Sequence, residues 1–436
     1  MKKLDTVASN WTAIIGCICL GLGIAYRAVV PADNPVSGAL FLVFCYLGPV
    51  ALYELCVRKI HRNPSTGLNW EETRAANPKR VIVKLLGFGA VLAAVIAIHA
   101  VFRIYTVERL IFPLAALQIL LPLCLPIIIA YFFIIDRRMR KPHDGYHEFG
   151  LWLLRRNPSP DYALLKDFAL NWTIKGFFLP IMFAYLAISM PGLHENTLQL
   201  TQGPVAAVIY LTTALVVVEL TIVVVGYAMT VRLFDAHIRS PNGLLGAWVV
   251  TLICYEPFRA IASGTIYPYR TDRDWSAVAG DYPLLMWPWM ALILFAFGLW
   301  VWATAIFGLR WSNLTHRGII TNGPYAFTKH PDYFAKSLFF WLTAAPFLTA
   351  FTTWQAVTAT LSLFVINAVY YGRARMEEKH LSEDPAYVEY ALAMNERSVF
   401  RGLARALPFL IYKAPNAQSD GNPVGNADAQ QGLPAE

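Results

Sequence analysis

The run PVAAVIYLTTALVVVELTIVVVGYAMT, Pro204 to Thr230, decides the class of fold. Its single charged side chain is Glu219, and the rest is apolar or weakly polar. Roughly 20 such residues in a helix span the hydrocarbon of a bilayer. Comparable runs lie on both sides of it. Trp11 to Tyr26, Ser37 to Cys56, Val81 to Val101, Leu110 to Ile135 and Trp172 to Met190 precede it, and Leu244 to Ala262 and Leu284 to Leu309 follow. The 436-residue chain is 57% hydrophobic and 15% charged, where a soluble domain carries about 25% charge. These features predict an all-α, polytopic membrane helix bundle with about eight spanning helices. Two shorter runs, Ser337 to Phe351 and Gln355 to Tyr371, read as a hairpin that dips in and returns, leading into a cytoplasmic helix.

The net charge of +8 would point to nucleic acid in a soluble protein, but here its distribution carries the meaning. Loops 57–80 and 136–170 are rich in Lys and Arg, among them Arg58, Lys59, Arg62, Arg74, Arg137, Arg138, Arg140 and Lys141. Loops 31–36 and 191–203 have none, and 102–109 and 263–283 have two each. That alternation is the positive-inside pattern. It predicts an integral, multi-pass protein, placed in a bacterial inner membrane, with the N-terminus, the active site and the C-terminal tail in the cytoplasm. The first run follows Met1-Lys2-Lys3 without a convincing small-x-small cleavage site, so it reads as a retained helix. The six cysteines lie in or at the ends of apolar runs without CxxC or clustered His, so neither metal nor disulfides are expected.

Three units are expected: an N-terminal six-helix extension over 1–241, a core over 242–411 that begins after the turn Ser240-Pro241-Asn242-Gly243, and a disordered tail over 412–436. Segment 150–170 is expected to lie along the interface, with Arg155 and Arg156 at the headgroups. Arg27, Lys84 and Lys175 fall close enough to helix ends to snorkel. Glu219 and Glu256 lie inside spans, and either packing the bundle or facing a substrate would account for them.

Two polar segments flank the hairpin. RGIITNGPYAFTKHPDYFAK, Arg317 to Lys336, contains the turn Thr321-Asn322-Gly323-Pro324, then Pro331 suited to the first turn of a helix and Asp332 facing its dipole. A helix start explains Pro331 and Asp332 but not Tyr325, His330 or Tyr333. In YYGRARMEEKHLSEDPAYVEY, Arg373, Glu377 and Leu381 share one helical face, while Arg375 and Glu378 lie three apart on another. Surface ion pairs explain those charges if the helix stands alone. The hairpin, however, returns them beside His330.

Together these segments resemble the integral-membrane methyltransferases of the isoprenylcysteine carboxyl methyltransferase type, whose pattern the phospholipid N-methyltransferases share. Gly323, Tyr325, His330, Pro331, Tyr333, Arg373, Arg375, Glu377, Glu378, Tyr387 and Tyr390 fall on that pattern in order. The resemblance covers about Leu284 to Arg401. It departs at Lys329, where Arg is commoner, and at the Tyr387 segment, which lacks a Phe-Gly pair before the tyrosine. The resemblance implies S-adenosylmethionine as cofactor, in a cytoplasmic pocket capped by the C-terminal helix. Gly323, Tyr325, His330, Pro331, Tyr333 and Glu377 would bind it, while Arg373, Arg375 and Glu378 would act on the acceptor. That acceptor would be lipidic or prenylated, a carboxylate held in line by an Arg or an amine deprotonated by His330 or a glutamate. Adjacent helix residues are about 100° apart, so Glu377 and Glu378 cannot share one role. Two other readings are a nicotinamide-dependent enzyme of the sterol-reductase type, and a transporter or assembly protein with an inactive terminal unit.

Overall fold

The computed structural model describes residues 5–102, 107–197, 200–279 and 283–415, so the tail from residue 416 onward lies outside the described residues. Helices follow in the order α1 (Asn10–Val29), α2 (Pro35–Leu52), α3 (Pro78–Phe102), α4 (Val107–Arg138), α5 (Gly145–Leu153), α6 (Tyr162–Thr197) and α7 (Pro204–Ala228). After these come α8 (Leu245–Leu252), α9 (Phe258–Thr265), α10 (Trp275–Ala279), α11 (Pro283–Ala305), α12 (Pro331–Ala344), α13 (Pro346–Thr349), α14 (Thr353–Leu381), α15 (Pro385–Arg397) and α16 (Arg401–Ala406). Two-residue strands β1 (Ser240–Pro241) and β2 (Thr315–His316) pair antiparallel, Ser240 opposite His316.

Caps follow from sequence. Asn34 accepts from the Ser37 N–H, Asp144 from His147, Thr352 from Gln355 and Asp384 from Ala386, each meeting a helix N–H that has no intrahelical partner. Pro35 and Pro385 open their helices, where a missing N–H costs nothing.

The chain is an all-α polytopic bundle, and seven of its described helices, α1–α4, α6, α7 and α11, are long and apolar enough to cross a membrane. The run Leu244 to Ala262, expected among the eight spans with Glu256-Pro257 marking a break, is divided there into α8 and α9. Pro257 cannot supply the N–H a continuous helix needs. The Glu256 carboxylate takes over at the break, accepting from the Ala260 N–H at 3.1 Å and pairing with Arg259 at 3.1 Å. The hairpin forms as expected from α12 and α14. Its tip meets the segment after α9, where Thr271 Oγ1 donates to Thr349 Oγ1 at 2.6 Å. At ~1.5 Å per residue, the 29-residue α14 is about 43 Å long. That exceeds the ~30 Å hydrocarbon layer, so its last turns, RARMEEKHL, stand clear of it.

The basic loops and the polar stretch share one face. Leu68 bridges Met139, Asn63 donates to Asp235 at 3.1 Å, and β1 joins β2. The Val7 N–H donates to the Ile319 carbonyl at 3.1 Å, bringing the N-terminal segment to that face as well. The largest hydrophobic cluster draws on both sides of Pro241: Leu20, Leu42, Tyr46, Phe178 and Val225 belong to it with Ile306, Leu309 and Ile320. Lys84, expected to snorkel, is buried instead, 2.9 Å from Asp136 and 3.2 Å from Asp144. Arg27 lies over the Phe41 ring at 4.4 Å. Segment 150–170 is divided between the end of α5, an irregular stretch and the start of α6.

Candidate active site

The site begins with a staple. Arg317 is buried and donates to the carbonyls of Gly226 at 2.8 Å, Met229 at 3.0 Å, Leu309 at 2.8 Å and Trp311 at 3.1 Å, and also to Ala236. This fastens 306–317 to the end of α7. The close approach needs Gly226, because a Cβ there would overlap the Trp311 carbonyl oxygen. Burial, with a smaller contribution from Arg310 nearby, pulls the Arg317 guanidinium down to about 9. Downstream, Gly323 turns the chain at φ +59°, a conformation glycine adopts without strain, and a Cβ would press on Ile306 Cγ1 at 3.1 Å. Pro331 then opens α12, and Asp332 in its first turn pairs with Lys336 at 2.8 Å.

α14 brings its polar end back to this segment. His330 Nε2 lies 3.2 Å from Glu378 Oε1, and the Tyr333 hydroxyl donates to Glu377 Oε2 at 3.0 Å. The two glutamates then part company. Glu378 is buried, bonded to Lys329 at 2.8 Å and Arg375 at 2.5 Å as well as to His330. Burial raises its carboxyl, but the His330 hydrogen bond and the charges of His330 and Lys329 prevail and hold it at about 2. Burial draws the Lys329 ammonium down against the pull of Glu378. Glu377, with its side chain 42% exposed, faces a cleft enclosing about 100 Å³.

The cleft is walled by segment 307–320, by Tyr325, His330, Asp332 and Tyr333, by the α14 face of Arg373, Glu377 and Leu381, and by Tyr387 and Tyr390 of α15. Tyr390 fastens α15 over it, its hydroxyl donating to the Tyr325 carbonyl at 2.7 Å. His316 meets Asp384 at 3.3 Å at the start of α15, and burial pulls the imidazole down to about 4 against the carboxylate's effect. Arg373 donates to Asn313 Oδ1 at 2.9 Å and stands 5.3 Å over the Tyr333 ring. The Tyr333 ring stacks on His330 and on Tyr370 at 5.6 and 5.8 Å. Behind Tyr370 lies a second space of about 490 Å³, lined by Glu256, Arg259, Tyr267 and Phe340.

Five buried polar atoms on cleft-lining residues have no hydrogen-bond partner among the described residues; Lys329 Nζ and Arg310 Nη2 lie near the carboxylates of Glu378 and Asp235, which leaves Arg373 Nε, Asp332 Oδ1 and the Tyr387 hydroxyl without a partner of either kind. Buried polar groups are normally satisfied, so unmet ones aimed at a cleft point to a polar ligand.

Of the residues expected at the site, Tyr325, His330, Tyr333, Arg373 and Glu377 line the cleft, while Gly323 and Pro331 shape it. Arg375 and Glu378 bind one another beside it. Arg317, Asp332 and Tyr387 line it without having been given a role there from sequence. Asp332 was legible only as a helix-dipole partner, and Arg317 gave no signal because its partners are backbone carbonyls distant in the chain. Glu219, whose role sequence left open, accepts from Trp300 Nε1 at 2.8 Å, and the Lys336 ammonium lies 4.8 Å over that indole.

Residues 286–383, which hold the hairpin and both its polar flanks up to Glu383, match the model of the isoprenylcysteine carboxyl methyltransferase family. This segment is isoprenylcysteine carboxyl methyltransferase-like. The matched segment covers α11 to α14 and supports a membrane methyltransferase in general. No curated protein and no solved structure matches the chain. The matched segment ends before Tyr387, so Tyr387 and Tyr390, which line the cleft from α15, lie outside it.

Proposed function

We propose that the protein transfers a methyl group from S-adenosylmethionine to a lipidic acceptor at the face bearing the basic loops, which the charge pattern assigns to the cytoplasm. The observation that carries this reading is the set of unmet buried atoms meeting Glu377 in one cleft. The cofactor's chemistry suits that donor set. A carboxylate and aromatic faces favour a cation. Asp332 Oδ1 and the Tyr387 hydroxyl suit ribose or amino groups, and Arg373 Nε suits a carboxylate.

When bound, the cofactor supplies an electrophilic methyl carbon on a sulfonium, which an acceptor oxygen or nitrogen takes in line as the thioether leaves. The chain's own work is positioning, which accounts for much of the acceleration of a two-reactant displacement. Glu377, held by Tyr333, stabilises positive charge in the cleft. Arg373, supported by Asn313, orients a carboxylate, and such an acceptor needs no general base. Arg375 and Glu378 act as positioning residues, since they hold Lys329 and His330 in place. The lipid tail reaches the reacting centre from the space behind Tyr370, beside Glu256 and Arg259.

A nicotinamide dinucleotide fits less well, because its diphosphate requires uncommitted cations. Arg317 is committed to carbonyls, Lys329 to Glu378 and Arg310 to the Asp235 carbonyl at 3.1 Å, so Arg373 is the main cation left in the cleft for a group that carries two phosphates. The test is equilibrium binding of radiolabelled S-adenosylmethionine to the full chain in detergent, followed by transfer of label into a membrane lipid extract. Saturable binding and labelled lipid are expected; an absence of saturable binding defeats the proposal.

A further inference from the structure

The first six spanning helices lie outside the matched segment, yet they enclose a second site. On the same face as the cleft, a cavity of about 370 Å³ opens between α4, α6 and segment 230–241. Its charges do not balance. Asp136 and Asp144 are neutralised by Arg80 at 2.6 Å and by Lys84 at 2.9 and 3.2 Å. Of the remaining lining residues, exposed Asp167 is the one carboxylate, against Lys141, Lys175, Arg232 and Arg239.

Two of those cations are poorly matched within the protein. Lys175 has no carboxylate partner among the described residues and rests on the Trp172 ring at 4.0 Å. Arg239 Nε is buried without a hydrogen-bond partner, and its Nη2 reaches Asp235 only at 3.8 Å. His237 lies in the same lining, where burial first, then the charges of Arg232 and Arg239, pull its imidazole down to about 3. A buried charge without a close partner is costly and commonly marks a ligand.

A second cavity adjoins this one. Phe168 and Trp172 line both it and an apolar groove of about 420 Å³ between α3, α5 and α6. A cationic head pocket joined through shared aromatics to a greasy groove has the shape of an anionic amphiphile. We infer that the six-helix extension binds a lipid bearing a phosphate head group, with the phosphate at Lys175 and Arg239 and one tail in the groove. The inference stands apart from the methyltransferase reading. Arg239 nonetheless touches the back of the cleft, since a Cβ on Gly318 would lie 3.2 Å from its Nη2.

The test uses the full chain in detergent. Phosphatidic acid, a diacylglycerol with the same tails, oleate and inorganic phosphate are titrated while bound species are counted by native mass spectrometry. One phosphatidic acid per chain is expected, with diacylglycerol and oleate at least about tenfold weaker, as for loss of charge-assisted hydrogen bonds. Lys175→Met should weaken it similarly through the head, and Ala94→Trp through the groove. Both variants should keep the wild-type Tm and S-adenosylmethionine binding. Equal affinity for diacylglycerol or oleate would overturn the phosphate assignment, and equal affinity for inorganic phosphate would overturn the lipid one. Unchanged binding in both variants would overturn the site itself.

Discussion

Glu377 and Glu378 are neighbours in sequence with opposite circumstances, and substitution separates them. Glu377 is partly exposed and faces the cleft, so Glu377→Ala should keep the wild-type Tm while weakening S-adenosylmethionine binding tenfold or more, read by equilibrium binding. Glu378 sits among Lys329, His330 and Arg375, and its removal leaves those charges uncompensated. Breaking a buried pair costs about 3–5 kcal/mol, so Glu378→Ala should lower Tm sharply in detergent. Arg317 presents a similar case with carbonyls as partners. Each buried acceptor left unmet costs about 1–3 kcal/mol. Arg317→Lys should not rescue what Arg317→Met loses, because an ammonium cannot reproduce the planar fork. Folded yield and thermal unfolding measure both.

Among the elements, α14 and α15 decide the site. Period 3.6 placed Arg373, Glu377 and Leu381 on one face, and that face lines the cleft. α15 is closed by Tyr390, whose bond to the Tyr325 carbonyl spans 65 residues. Tyr390→Phe should cost about 1 kcal/mol of that closure, seen as a several-fold faster dissociation of S-adenosylmethionine in a chase experiment. The break between α8 and α9 was half legible. Pro257 announced it, but apolar residues on both sides resemble a continuous span until Glu256 is seen binding the N–H of Ala260.

For the whole molecule, histidines link stability to pH. His316 and His237 have folded-state values near 4 and 3, below the ordinary 6.5, with burial as the first cause of each. A depressed value means protonation favours the unfolded chain. Their contribution is present above pH 6.5 and is lost as pH falls towards 4. Tm measured across that range should fall with acid, and His316→Gln should flatten the slope. Contacts also join the N-terminal helices to the matched segment: α7 packs against α11, and Arg317 donates to carbonyls at the end of α7.

The apolar runs, the hairpin and the spacing of the polar motifs were set by sequence alone, because helix period and bilayer thickness are local constraints that any window of residues reveals. Tertiary structure alone decided that Lys84 is buried, that Arg317 spends its charge on carbonyls, and that Glu377 rather than Glu378 faces the cleft. Those outcomes depend on which backbone and side-chain groups arrive from distant segments to compensate a desolvated charge, and spacing along the chain carries no record of that.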